Sequence, residues 1–338
     1  MSRPSGRRAA VVAVATAAAA FHLYSAGVSP FTALVQRPVH LALMGLLAVL
    51  GVGVRPRADG PVRPLRPDGP GAGRAAAAAR RLRAASTVLL AAAVTAGCAY
   101  LVAQHTALVG RAGAPRTADL VAGALTLVAV LELARRSTGW GLVAVALAAV
   151  GYALAGPWLP GVLAHRGYGL RRLVEHLYLS TEGVWGVPLG VSADFVYLFV
   201  LFGALLEVAG GGALLIALAD RVAGRSRGGP AKTAAVASAL MGSLSGSAVA
   251  NVVTTGPFTI PLMRRAGFRP AFAGAVEAAA STGGQLMPPV MGAGAFILAT
   301  WTNIPYGRVA LAALIPAVLY YVALLAAIHF RAVGRGLG

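Results

Sequence analysis

Long apolar runs separated by clusters of arginine constrain this chain most. The runs occupy roughly residues 9–28, 38–54, 84–103, 117–134, 139–157, 190–209, 270–302 and 308–330, and a polar-interrupted stretch lies at 230–263. Crossing the ~30 Å hydrocarbon core as helix takes about 20 apolar residues. In lipid every backbone N–H and C=O must be satisfied within the protein. The runs therefore predict an all-α polytopic membrane protein with about eight crossing helices, one of them discontinuous, plus one re-entrant helical hairpin. With 58% hydrophobic and 12% charged residues, the composition excludes an ordinary soluble domain.

The net charge of +19 would suit nucleic acid, but its distribution does not. The arginines lie between apolar runs, with no interleaved aromatics, so no nucleic-acid partner is expected. With the N-terminus inside, the cytoplasmic segments hold three cations before residue 9, eight in 55–83, two at 135–136, four in 221–232, three in 264–269 and two in 331–335. Only Arg37, Arg111, Arg116, Arg166, Arg171, Arg172 and Arg308 fall outside. That asymmetry predicts a cytoplasmic N-terminus, and the first apolar run reads as a transmembrane helix rather than a cleaved leader. The single cysteine, Cys98, excludes an internal disulfide.

Three segments are expected: 1–157, an N-terminal helical block with a flexible basic cytoplasmic loop at 55–83; 158–189, an external amphipathic segment in the interface; and 190–338, which carries the hairpin and the broken helix. Trp140, Trp158, Trp185 and Trp301 near run ends read as an aromatic belt.

The stretch PAKTAAVASALMGSLSGSAVANVVTTGPFTIPLM (Pro230 to Met263) has roughly 31 residues between Lys232 and Arg264, more than one crossing needs and fewer than two. Two arms of about 12 residues, ~18 Å each, would go in and return, leaving Gly242, Ser243, Ser245, Gly246, Ser247 and Asn251 near the midplane. Non-helical backbone at that depth belongs in buried protein or against a wet cavity. A second interruption, STGGQLMPP (Ser281 to Pro289), splits the 270–302 run. Its glycines free the backbone and its prolines remove N–H donors, so an unwound segment facing the hairpin tip is expected. Hydroxyls, the Asn251 carbonyl and free backbone carbonyls are hard oxygen donors suited to Na⁺, and half-helix ends add partial charge. The alternative reading of the small residues is close helix packing.

Among acidic residues, Glu132 is expected to pair with Arg135 and Arg136, and Asp194 and Glu207 to be interfacial or structural. Glu277 lies inside the membrane beside the break; it reads as a coupling group or as a hydrogen-bonded tie for the broken helix. His22, His40, His105, His165, His176 and His329 show no metal-ligand spacing. No HExxH, Walker A or nucleophile-elbow pattern occurs, so no enzymatic activity is expected.

GSLSGSAVANVVTTGPFTIPLMRRAGF followed by EAAASTGGQLMPPVMGAGAF resembles the membrane permease of TRAP transporters, and TEGVWGVPLGVSADFVYLFVLFGALLE resembles the start of the large-subunit part in the fused small/large subunit type. The resemblance covers roughly 160–335 by motif and 1–155 only in pattern. It implies an elevator-type, sodium-coupled importer of organic acids in the bacterial inner membrane, receiving its solute from a periplasmic binding protein of the TAXI type. By motif it implies a Na⁺ site of hairpin-tip ligands Ser243, Ser245, Ser247 and Asn251, with Thr282, Gly283, Gly284 and Met287 supplying the facing unwound backbone; no other cofactor is implied. It also implies that Asn251, Thr254, Thr255 and Gln285 lie near the substrate. The family's transport domain has two inverted repeats. SGSxxAN and TGGQxMPP each occur once here, so the chain reads as truncated after the first repeat, with a further polypeptide expected to supply the second. The alternative is a non-transporting membrane assembly piece or gene relic.

Overall fold

A computed structural model describes residues 6–50, 72–111 and 113–337, with side chains between 72 and 84 described only at Leu82. All described regular elements are helices. Contacts divide the chain into two compact units at Ala193/Asp194, and each is built separately.

The first unit contains α1 (Gly6–Gly27), α2 (Ala33–Val49), α3 (Ala72–Gly110), α4 (Thr117–Thr138), α5 (Trp140–Ala155), α6 (Leu170–Tyr178) and α7 (Val187–Val191). One stripe of α3, formed by Leu90, Val94, Cys98 and Leu101 at spacings of three to four residues and by Leu108 two turns on, makes the buried core with Ala129, Tyr178 and Trp185. Two polar ties hold α6 and the following turn to that core: Tyr178 Oη donates to the Gly97 carbonyl at 2.7 Å, and Trp185 Nε1 donates to the Tyr178 carbonyl at 2.5 Å. Trp185 is therefore fully buried, which corrects its assignment to an interfacial belt; Trp140, Trp158 and Trp301 are exposed. Glu132 pairs with Arg135 and Arg136 as expected, at 2.6 and 2.7 Å. Residues 72–83 of the expected loop are helical, because the Ala run extends α3 beyond its apolar part; residues 55–71 lie outside the described residues.

Tyr178→Phe removes the hydroxyl donor while the Gly97 carbonyl keeps its place in the α3 ladder. The expected loss is about 0.5–1.5 kcal/mol of stability, read from thermal melts in micelles.

The second unit contains α8 (Tyr197–Val208), α9 (Gly211–Ala223), α10 (Gly229–Ser245), α11 (Ala248–Arg265), α12 (Pro270–Gly283), α13 (Ala293–Thr302) and α14 (Tyr306–Val333). α7 and α8 are joined by a π-helical turn, Ser192–Val196. The core is alanine-rich, with Ala231, Ala234 and Ala235 of α10, Ala273 and Ala280 of α12 and Ala332 of α14 packed around Met263, Phe268 and Ile328. Without a hydrophobic drive between helices in lipid, such small residues let backbones approach and gain dispersion.

Among the described residues six helices are long and apolar enough to cross a membrane, and Ala33–Val49 and Ala293–Thr302 are shorter apolar helices. The expected hairpin is present as α10 and α11, and the expected broken helix as α12 and α13. Its arms have 17 and 18 residues, about 26 Å each rather than the ~18 Å expected from the sequence. The physical reason lies at the ends. Left-handed Gly228 and Pro230 start α10 before Lys232, and α11 runs through Arg264 and Arg265, so the cations sit inside the helix termini.

Candidate functional site

Gly246 turns the hairpin. It ends α10 in the left-handed conformation (φ 60°), with its N–H on the Gly242 carbonyl at 2.9 Å. Ser247 then caps α11, its hydroxyl accepting from Ala250 N at 3.3 Å. The unwound segment between α12 and α13 closes over this tip. Val290 N donates to the Ser243 carbonyl at 3.0 Å, and Gly292 N donates to the Gln285 carbonyl at 2.8 Å. Tyr306 Oη holds the same segment from the start of α14, its one proton shared between the Pro289 and Val290 carbonyls, 2.6 and 2.8 Å away.

Hairpin and break meet backbone to backbone. A Cβ on Gly242 would lie 2.3 Å from Gly284 Cα, and one on Gly246 would lie 1.9 Å from the Met291 carbonyl oxygen. Only glycine permits that approach. On its other side α12 is tied to α14: Tyr320 and Tyr321 hydroxyls donate to the Ala279 and Ala280 carbonyls at 2.8 and 2.7 Å.

Asn251 is the buried polar centre. It is 1% exposed, and its Nδ2 donates to the Ser238 carbonyl at 2.8 Å; its Oδ1 has no hydrogen-bond partner. A buried, unpaired carbonyl oxygen is costly unless a ligand or water completes it. The Gly284 backbone lies close to the same amide, and α10 and α12 both end here with their carbonyl termini. Those termini carry partial negative charge, and the start of α11 at Ser247 brings partial positive charge to the same turn.

One turn along α11 lies a second cluster. Glu277 of α12 is 1% exposed and accepts hydrogen bonds from Thr255, from Thr259 at 2.5 Å and from Ser281 at 3.3 Å. Each threonine hydroxyl has one proton and lies nearer this carboxylate than the carbonyl one turn back, which is 2.8 Å away for Thr255 (Asn251 O) and 3.0 Å for Thr259 (Thr255 O). Ser238 Oγ lies 3.4 Å from Thr255 Oγ1 and links the two clusters. These hydrogen bonds run between α11 and α12.

Asn251, Gly284, Thr255 and Glu277 are thus brought together, with Ser243, Ser245 and Met287 at the tip and its facing segment. Ser243 Oγ donates to the Leu240 carbonyl at 2.7 Å, and Ser245 Oγ accepts from Ser247 N at 3.4 Å. Met287 N reaches back to the Gly284 carbonyl at 3.2 Å. Thr254 is half-buried on α11. Thr282 is exposed and bonds back to the Ala278 carbonyl, Gly283 packs on the Tyr320 ring, and the Gln285 side chain is exposed. Ser238, Thr259 and Ser281 are members that sequence reasoning missed. Thr255 and Thr259, one turn apart on α11, were the available signal.

Residues 125–338 match the family model described as "Tripartite ATP-independent periplasmic transporter, DctM component". The uncharacterized protein y4mL of Sinorhizobium fredii is 30% identical, over 44% of this chain and 38% of its own length. The C4-dicarboxylate TRAP transporter large permease proteins DctM of Pseudomonas aeruginosa and Vibrio cholerae are 34% and 33% identical, each over 40% of this chain and over 31% and 29% of their own lengths. The chain thus spans well under half the length of these curated relatives. No solved structure matches.

Proposed function

The chain belongs to the family of the DctM component of tripartite ATP-independent periplasmic transporters, and on that premise we propose that it serves sodium-coupled import of organic acids. It is a multi-pass membrane protein of a transporter family. The proposed solutes are small carboxylates of the C4-dicarboxylate class, after the names of the DctM relatives, delivered by a periplasmic binding protein of the TAXI type. The membrane is the bacterial inner membrane, with the N-terminus cytoplasmic and the hairpin re-entrant. The observation that carries the reading is the buried Asn251 Oδ1, which has no hydrogen-bond partner among the described residues.

In this reading Na⁺ takes that oxygen together with backbone carbonyls and the Ser243, Ser245 and Ser247 hydroxyls of the tip. Their hard oxygens share its charge without a buried carboxylate at the ion. A second hairpin and break, from the other inverted repeat, completes the coordination. The substrate lies beside Asn251 and Thr254, where Na⁺ offsets part of its negative charge. This gives the coupling a physical origin, since each ligand lowers the cost of burying the other.

The test is uptake of a C4-dicarboxylate into proteoliposomes holding the complete transporter and its binding protein. Replacing external sodium by choline should abolish uptake. Undiminished uptake in choline, driven by a proton gradient, would overturn the sodium assignment.

A further inference from the structure

The first unit holds a cavity of about 840 Å³ at one end of its helices, which the transport reading leaves unused. Its walls come from the start of α2, the end of α3, the residues preceding α4, and α6. α2 and α3 run antiparallel, so these ends share one membrane boundary. The floor is apolar, built from Leu34, Leu108 and Leu179, and the rim carries Arg111, Arg171 and Arg172.

The charges on the rim are unequally committed. Arg111 is paired with fully buried Asp119 at 2.9 Å, and its charge is met inside the protein. Arg171 gives one hydrogen bond, to the Pro115 carbonyl at 2.9 Å, and keeps its other donors. Arg172 lies 5.8 Å over the Tyr168 ring and donates to no described protein acceptor. Glu175 is the one carboxylate in the lining and forms no ion pair with either. The uncompensated charge of the cavity is therefore a single positive one.

We propose that this cavity seats a monoanionic glycerophospholipid, its phosphate on Arg171 and Arg172 and an acyl chain on the leucine floor. Guanidinium forks match phosphate oxygens, and basic pockets between transmembrane helices recognise lipid phosphates in this way. The single negative charge of a phosphodiester closes the charge count. A volume of this size suits part of one lipid rather than a flat contact. An acidic protein surface would meet the arginines but leave Leu34, Leu108 and Leu179 wet, which favours the lipid.

The experiment is native mass spectrometry of the full chain in micelles, titrated with phosphatidylglycerol or with phosphatidylcholine of the same acyl chains. One phosphatidylglycerol should be retained with about tenfold or greater preference. Arg171→Gln/Arg172→Gln should erase that preference without altering helix content, while Arg171→Lys/Arg172→Lys should keep most of it. Equal retention of the two lipids by the wild type would overturn the proposal with no variant needed. Preference surviving in the glutamine variant would also overturn it, as would its full displacement by soluble polyglutamate, which would assign the rim to an acidic protein.

Discussion

Gly242→Ala should cost about 2–3 kcal/mol or more and abolish transport, although it adds one methyl group. In most helices the change is favourable, because glycine loses more backbone freedom than alanine on folding. Here the new Cβ would sit 2.3 Å from Gly284 Cα, and the neighbour is backbone that cannot rotate away. Either α10 or the break must shift, and with it the hydrogen bond from Val290 N to the Ser243 carbonyl. Gly274→Ala is the matched control: it lies in α12, and a Cβ there would meet nothing within 4 Å. It should leave stability unchanged or raise it by about 0.5–1 kcal/mol. Equal melting temperatures for the two variants would mean that the glycine contact does not hold the hairpin against the break.

Glu277→Ala should be as damaging, by about 3–5 kcal/mol. It empties a site 1% exposed and withdraws the acceptor shared by Thr255, Thr259 and Ser281. Glu277→Gln keeps the volume and one acceptor oxygen. If Glu277 acts as the tie between α11 and α12, the glutamine variant should melt within about 1–2 kcal/mol of wild type and keep sodium-driven uptake. A glutamine variant that melts like wild type but has lost coupling would instead make Glu277 a coupling group.

Much of this architecture was legible in the residues because lipid leaves few choices. The apolar runs became helices, GSLSGS became the hairpin turn at Gly246, and the glycines and prolines of 281–289 became the break. Other features turned on ends and long-range partners. α9 lies outside the apolar runs, and left-handed Gly210 leads directly into it. The arms came out longer because cations were read as boundaries, whereas Lys232, Arg264 and Arg265 lie within helix termini. Trp185 read as a belt residue from its place in the sequence, but the Tyr178 carbonyl draws its indole N–H into the core. In the site, Asn251 stood out as a lone amide in an apolar arm. The Thr255–Thr259–Glu277 set did not, because its members are 18 and 22 residues apart and only the return of α12 onto α11 joins them. Thr282 and Gln285, at the same break, have exposed side chains.

In the proposed mechanism Asn251 Oδ1 helps to hold the coupling ion. The measurement closest to it is the sodium dependence of dicarboxylate uptake in proteoliposomes containing the complete transporter, wild type against Asn251→Ala. Removing one buried ligand oxygen is expected to weaken sodium activation by about 1–3 kcal/mol, raising the half-activating concentration roughly 5- to 150-fold while uptake at saturating sodium persists. An Asn251→Ala transporter with wild-type sodium dependence would contradict the account and leave the hairpin as a packing element.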